Sequence, residues 1–243
     1  MAWLENIFAS HSSLAWGREC ELCKRPMDRD GYICWECFSR LPLVDQSSVC
    51  GLCPRELAGT YERVLCGDCS SVNIPYFDGA ASACHFEGEI RQLILDYKYN
   101  GRIYLAKDLA AMMYSAASIR FDISRIDAVI PVCSSLWHRL LRGYNQCDYL
   151  AMFLAKMIGV PCMPRALRRK GFPRRQAGLN AAERRKNAKN SFRCRGGKYG
   201  DVKGKTVLVV DDVYTTGATL SACALELKKA GAKRVYCITI AVA

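Results

Sequence analysis

Thr206-Val207-Leu208-Val209-Val210-Asp211-Asp212-Val213-Tyr214-Thr215-Thr216-Gly217-Ala218-Thr219-Leu220 is the stretch whose reading decides the fold. Val207 to Val210 form a short apolar run rich in β-branched residues, the pattern of a strand buried on both faces of a parallel sheet. Two carboxylates close the run. Asp211 and Asp212 are therefore expected where the strand leaves the sheet at its C-terminal edge, the side on which open α/β sheets bind ligands. Thr215 to Thr219 follow, and Leu220 to Ala230 carry a helical pattern. A loop of small, hydroxyl-bearing residues ahead of a helix can set backbone N–H groups against a phosphate, which the helix dipole also favours.

Carboxylates repel a phosphate unless the ligand also carries groups that they bind. A sugar phosphate does: its hydroxyls donate to carboxylates, directly or through a hydrated Mg²⁺, while the loop holds the phosphate. Apolar run, acidic pair and Thr-Thr-Gly-Ala-Thr loop, in that order, resemble the phosphoribosyl-pyrophosphate motif of type I phosphoribosyltransferases. The resemblance implies an α/β fold with a mostly parallel sheet flanked by helices. It also implies that phosphoribosyl pyrophosphate or a ribose-5-phosphate-like ligand, with Mg²⁺, is held by Asp211, Asp212, Thr215, Thr216, Gly217, Ala218 and Thr219. Asp211 and Asp212 would be the catalytic pair.

Outward from this stretch, 243 residues can carry one sizeable α/β core plus a small appendage. Hydrophobic residues at 51% and charged residues at 24% are ordinary for a globular protein. No apolar run has the length of a membrane helix. Met1 to Trp16 place Leu4, Ile7 and Phe8 at helical spacing, but Glu5 and the lack of an early Lys or Arg argue against a signal peptide, so a cytoplasmic location is expected. Nearly all of the net charge of +12 falls between Arg165 and Arg195, where twelve Lys and Arg face a single acid, Glu183. Such density predicts an anionic partner, with solvated surface charge as the alternative. Arg168, Arg169, Lys170, Arg174 and Arg175 are candidates to contact the phosphates of a nucleotide or of single-stranded DNA, with Phe172 and Phe192 as candidate stacking faces.

Eight of the fifteen cysteines form four Cys-x-x-Cys pairs: Cys20 and Cys23, Cys34 and Cys37, Cys50 and Cys53, Cys66 and Cys69. A pair on a tight turn aims two thiolates at one point, and two pairs complete the tetrahedral sulfur site of structural zinc, so eight cysteines predict two Zn²⁺ sites. Sequential pairing is the simpler arrangement and crossed pairing stays open. The intervening residues are too polar for a core of their own, so metal binding would supply much of the folding free energy. The expected organisation is an N-terminal segment (1–16), a double zinc-ribbon region (17–70), a linker (71–78) and the α/β domain (79–243).

Within that domain, Gly79 to Phe86 read as a strand, Glu87 to Tyr99 and Leu105 to Ile119 as helices, and Ile126 to Val132 as a core strand. Lys98 to Arg102 form a basic, glycine-containing connection that either reaches an anion or carries solvated charge. Leu150 to Ile158 continue as a helix, Val160 to Met163 as a short strand, Ala181 to Lys189 as a short basic helix and Val235 to Ile240 as a final strand. His85 and His138 are lone histidines. Arg139 and Arg142 follow the core strand and suit phosphate oxygens by their planar forks.

The four cysteine pairs, Arg142-Gly143-Tyr144-Asn145-Gln146, Gln176-Ala177-Gly178-Leu179-Asn180, Glu183-Arg184 with Asn187 and the C-terminal motif together resemble the competence protein F family. That resemblance spans residues 20 to 240. It implies a zinc ribbon joined to a phosphoribosyltransferase-like domain, with Arg139 and Arg142 near pyrophosphate, residues 165–195 as the loop that closes over the reacting centre, and a link to DNA uptake and its proteins. Where the family continues with a second proline after Pro131-Val132, this chain has Cys133, Ser134, Ser135 and Leu136. The resemblance therefore implies a ribose-phosphate site more firmly than turnover. A single-stranded DNA-binding competence factor, or a zinc scaffold with a vestigial nucleotide site, is the alternative.

Overall fold

The computed structural model describes residues 18–27, 30–57, 64–70, 74–133, 144–170 and 191–243. The cysteine-rich part contains an antiparallel pair, β1 (Arg18–Glu19) with β2 (Pro26–Met27), and two single turns, α1 (Trp35–Phe38) and α2 (Gly67–Ser70). The larger elements follow: β3 (Gly79–His85), α3 (Gly88–Tyr99), α4 (Ala106–Arg120), β4 (Ala128–Pro131), α5 (Gln146–Ile158), β5 (Leu167–Arg169), β6 (Phe192–Cys194), β7 (Thr206–Tyr214), α6 (Ala218–Lys229) and β8 (Arg234–Val242).

β3, β8, β7 and β4 lie side by side in that order, and every pairing is parallel. Parallel neighbours require crossover connections, which the helices supply. Successive residues of a strand face opposite sides, so an uninterrupted apolar run fills two cores. Leu208, Val210, Ile238 and Ile240 pack with Ile90, Leu93, Leu109, Met113 and Leu150 beneath α3, α4 and α5. Val207, Val209, Val235 and Cys237 pack on the other face with Leu220, Cys223 and Leu227 of α6 and Phe192 of β6. Each such aliphatic side chain stabilises the fold by about 1.5–3 kcal/mol relative to exposure.

Two expectations need correction. Val160 to Met163 do not form a full strand: a single parallel bridge, Val129 to Cys162, is all that joins them to β4. Pro161 and Pro164 have no N–H to give to a ladder, which limits pairing to the Met163 N–H donating to Val129 O at 2.8 Å and the Val129 N–H donating to Pro161 O at 3.0 Å. The helix expected from Leu150 begins at Gln146, because its first turn, Gln146-Cys147-Asp148, is too polar to register in an apolar pattern.

The cysteine-rich part has no core of its own and borrows the sheet's. Cys20, Ile33, Cys37 and Leu41 join the core beneath α3 to α5. Val44, Val49, Cys50, Cys53, Cys66 and Cys69 join the core on the α6 face. Between them the chain runs antiparallel along β3: the Val44 N–H donates to Ala83 O at 3.0 Å and the His85 N–H to Pro42 O at 2.8 Å. This covers the free edge of β3, which would otherwise present unpaired backbone groups. Arg102 pairs with Glu21 at 2.6 Å and Asp96 at 3.2 Å, so this end of the Lys98 to Arg102 connection ties the first cysteine module to α3 instead of reaching an external anion or carrying free solvated charge. Among the described residues, no helix is long and apolar enough to cross a membrane.

Candidate functional site

β7 does not end at Val210 as its apolar run suggests. Its pairing with β4 stops at Pro131 opposite Val210, while its pairing with β8 continues to Val213 opposite Ala241 and Tyr214 opposite Val242. Asp211 and Asp212 thus stand on a strand held from one side only, beyond the end of β4. The Asp212 carboxylate is gripped twice: Lys98 Nζ lies 2.9 Å from Oδ1, and Gln146 Nε2 donates to Oδ2 at 3.3 Å. Asp211 Oδ1 accepts the Asp212 N–H at 2.9 Å and faces the Cys147 thiol at 3.5 Å. Burial, and then the adjacent Asp212 charge, push the Asp211 carboxyl up to about 7, against the pull of the Asp212 N–H and Lys98. Burial and the same two carboxylates hold the Cys147 thiol well above its ordinary value, so it stays protonated and donates.

Tyr97, fully buried, donates its hydroxyl to Gln146 O at 2.6 Å and fastens α3 to the start of α5. Asn145 Nδ2 donates to Val132 O at 3.1 Å and to Asp148 Oδ1 at 2.6 Å, tying the end of β4 to the same turn. Asn145 Oδ1 and Gln146 Oε1 are buried oxygens without a hydrogen-bond partner among the described residues. Oxygen acceptors beside a carboxylate pair suit a hard, hydrated cation such as Mg²⁺, which takes few protein ligands and keeps its waters. Cys147, Asp211 and Asp212 offer ligand atoms within 4.8 Å of one another.

The loop after β7 is fixed by one contact. Gly217 has φ +70°, and a Cβ there would lie 2.8 Å from Cζ of the buried Tyr214 ring, so only glycine fits. Thr216 Oγ1 accepts the Ala218 N–H at 3.4 Å, and Thr215 is exposed. Thr219 lies in the first turn of α6, whose leading amides have no partner inside the helix. Tyr214, Thr216, Gly217 and Ala218 line a cleft shared with Arg55 and Tyr76 of the cysteine-rich part and its continuation.

The eight cysteines gather as sequential pairs. Cys20, Cys23, Cys34 and Cys37 form one cluster and Cys50, Cys53, Cys66 and Cys69 the other, the sulfurs of each lying within 4.8 Å of one another. Cys23 and Cys34 Sγ are 3.7 Å apart, and Cys53 and Cys66 Sγ 3.6 Å. Tetrahedral Zn–S bonds of ~2.3 Å put sulfurs about 3.8 Å apart, so both clusters can hold zinc. The modules repeat a detail: the Cys34 N–H donates to Cys20 Sγ at 3.4 Å and the Cys66 N–H to Cys50 Sγ at 3.3 Å. Although burial opposes it, such N–H donors lower the Cys20 thiol to about 6 and the Cys50 thiol to about 7.

Arg168 and Arg169 lie on β5, paired with Arg193 and Phe192 of β6. Arg168 and Arg193 are exposed directly opposite each other. Phe192, read as a stacking face, is instead 1% exposed, with the Arg169 guanidinium 5.3 Å over its ring. The Lys170 N–H donates to Ser191 O at 2.7 Å. His85 sits 3.2 Å from Glu56 Oε1. Arg139, Arg142, His138, Phe172, Arg174, Arg175 and the helix expected at residues 181–189 lie outside the described residues. Gln146 and Cys147 are site members that motif reading left without a role, although Gln146 stood in the quoted Arg-Gly-Tyr-Asn-Gln segment; Lys98, read as reaching an anion or carrying solvated charge, pairs instead with the protein's own Asp212.

A parallel α/β sheet with an acidic pair and a Thr-Thr-Gly loop at its C-terminal edge defines the phosphoribosyltransferase class, and residues 173–243 match the family model described as phosphoribosyl transferase domain. Among curated relatives, competence protein F of Haemophilus influenzae is 31% identical over 189 residues, covering 76% of this chain and 81% of that protein. DNA utilization protein YhgH of Escherichia coli O157:H7 is 29% identical over 228 residues, covering 90% and 95%. The chain belongs to the competence protein F family. Among solved structures, the glutamine phosphoribosylpyrophosphate amidotransferase of B. subtilis aligns with a TM-score of 0.39 at 22% identity, over 60% of this chain and 30% of that one.

Proposed function

We propose that the chain binds phosphoribosyl pyrophosphate, or a related ribose 5-phosphate, with Mg²⁺ at Asp211, Asp212 and the loop from Thr215 to Thr219. The observation that carries this reading is the acidic pair beyond the end of β4, a few residues ahead of an α6 N-terminus whose glycine is enforced by Tyr214. Asp211 and Asp212 accept hydrogen bonds from the ribose hydroxyls, and the threonine hydroxyls and first-turn amides of α6 receive the 5′-phosphate. The orphaned Gln146 Oε1 accepts from a water of the hydrated cation. When bound, Mg²⁺ neutralises charge on the pyrophosphate. Arg139 and Arg142 are assigned to the same pyrophosphate. Transfer to an acceptor would need positioning and electrostatics, with no nucleophile from the protein. Zinc is the ion assigned to both cysteine clusters, in a region at 17–70 joined by residues 71–78 to the ligand-binding domain at 79–243.

Calorimetry of the zinc-loaded protein with phosphoribosyl pyrophosphate and Mg²⁺ tests the reading. Heat that disappears in Asp212→Asn supports it; no heat from the native protein, or heat unchanged by that substitution, sinks it.

A second reading concerns the role served: the relatives' names, competence protein and DNA utilization protein, support a role in competence and DNA use, and we propose DNA uptake or use in the cytoplasm. Its own observation is the exposed Arg168–Arg193 pair: like charges directly opposite on a two-stranded ribbon destabilise it unless an anion lies across them. Single-stranded DNA is the polyanion proposed, and DNA-uptake proteins are the partners it implies. Replacing both arginines by glutamine should weaken binding and reduce the salt slope by about 1.4, roughly 0.7 per phosphate contact. An unchanged slope would remove the hairpin from the interface.

A further inference from the structure

Lys98 occupies the place that a ligand needs. Its ammonium is 2.9 Å from Asp212 Oδ1, with 16% of either side chain exposed, while Gln146 holds the other oxygen at 3.3 Å. Both oxygens of Asp212 are therefore engaged by protein donors. A ribose hydroxyl or a hydrated cation that takes either oxygen competes with the donor already there. The Gln146 amide is anchored from within its own turn, since Tyr97 donates to the Gln146 carbonyl and Asn145 ties that turn to Val132. Lys98 ends a flexible four-carbon stem, its Cα fixed by the neighbouring Tyr97, and its ammonium is a mobile point charge.

Charge opposes sharing. Two cations close to one carboxylate repel each other, so a divalent ion at Asp212 weakens that carboxylate's pairing with the Lys98 ammonium. Without any cation the two adjacent carboxylates repel each other.

We infer that Lys98 is a resident counter-ion of this site, neutralising Asp212 in the ligand-free protein and giving it up to ribose and divalent cation. The inference rests on the ribose-phosphate reading of Asp211 and Asp212. It makes Lys98 a competitor of the metal for one carboxylate.

The test has two arms on the full-length, zinc-loaded protein. In the first, Mn²⁺ alone is titrated and free Mn²⁺ is read by electron paramagnetic resonance, for native protein, Lys98→Met, Lys98→Arg, Asp212→Asn and Lys98→Met combined with Asp212→Asn. In the second, phosphoribosyl pyrophosphate is titrated calorimetrically at saturating Mg²⁺. Lys98→Met should bind Mn²⁺ at least about tenfold more tightly, the scale on which a close cation shifts a carboxylate's equilibria. Lys98→Arg should stay near the native value in the Mn²⁺ arm, and Lys98→Met combined with Asp212→Asn should lose the gain, placing it at this carboxylate. Equal Mn²⁺ affinity in Lys98→Met and native protein, with thermal midpoints showing both folded, overturns the inference even if the native protein binds phosphoribosyl pyrophosphate. A gain in Mn²⁺ affinity without any phosphoribosyl pyrophosphate binding by the native protein sustains the counter-ion and refutes the ribose-phosphate reading.

Discussion

Substituting Gly217→Ala replaces one hydrogen by a methyl group at the point where β7 turns into α6. The new Cβ would stand 2.8 Å from Tyr214 Cζ and 3.0 Å from Cε2, at a backbone φ of +70°. Two costs follow. A left-handed conformation for a residue with a Cβ costs about 1–2 kcal/mol, and forcing a methyl group into a packed contact costs about 1–3 kcal/mol more. The Tyr214 ring, 4% exposed, has little room to retreat. Gly217→Ala should therefore destabilise the protein by about 2–5 kcal/mol in urea denaturation, with an unchanged slope. The two costs separate in a Tyr214→Leu background, where the ring atoms are gone and only the backbone part, about 1–2 kcal/mol, should remain. A Gly217→Ala protein within about 0.5 kcal/mol of native would refute the reasoning. So would an equal penalty in both backgrounds, since the Tyr214 contact would then contribute nothing.

Two further outcomes can be measured directly. The zinc-loaded protein should release about two metal ions per chain to a colorimetric chelator, and Cys20→Ser with Cys37→Ser should reduce this to about one while sparing the second cluster, because each cluster is closed by its own four thiolates; loss of both ions together would show that the clusters are not independent. Asp211, with a folded-state carboxyl raised to about 7, takes up its proton more readily when folded than unfolded. Its contribution to stability is full below the ordinary carboxylate range and is lost as pH rises through about 7, so metal-free-site stability should decline between roughly pH 4 and 7 and Asp211→Asn should flatten that decline; a native profile rising across this window, with no change in the variant, would contradict the raised value.

The sequence by itself determined what depends on neighbours in the chain. A four-residue apolar run needs two cores whatever surrounds it, and Val207 to Val210 found them on the two sides of the sheet. Each Cys-x-x-Cys spacing carries its own turn, so the tendency to gather sulfur was legible residue by residue. Tertiary structure decided what depends on distant partners. Sequential rather than crossed clustering of the cysteines follows from how two separated turns meet. β7 reaches Tyr214 because β8 continues beside it, and no property of Asp211 or Asp212 announces that. Phe192 lies under Arg169 in a core instead of facing a base, since the opposite strand and α6 close over it. Gln146 contacts Asp212 across 66 residues of chain, and Lys98 comes from farther still. The small, hydroxyl-bearing loop is written in consecutive residues, whereas the ammonium that pairs with Asp212 arrives on another helix, and only packing brings them within 2.9 Å.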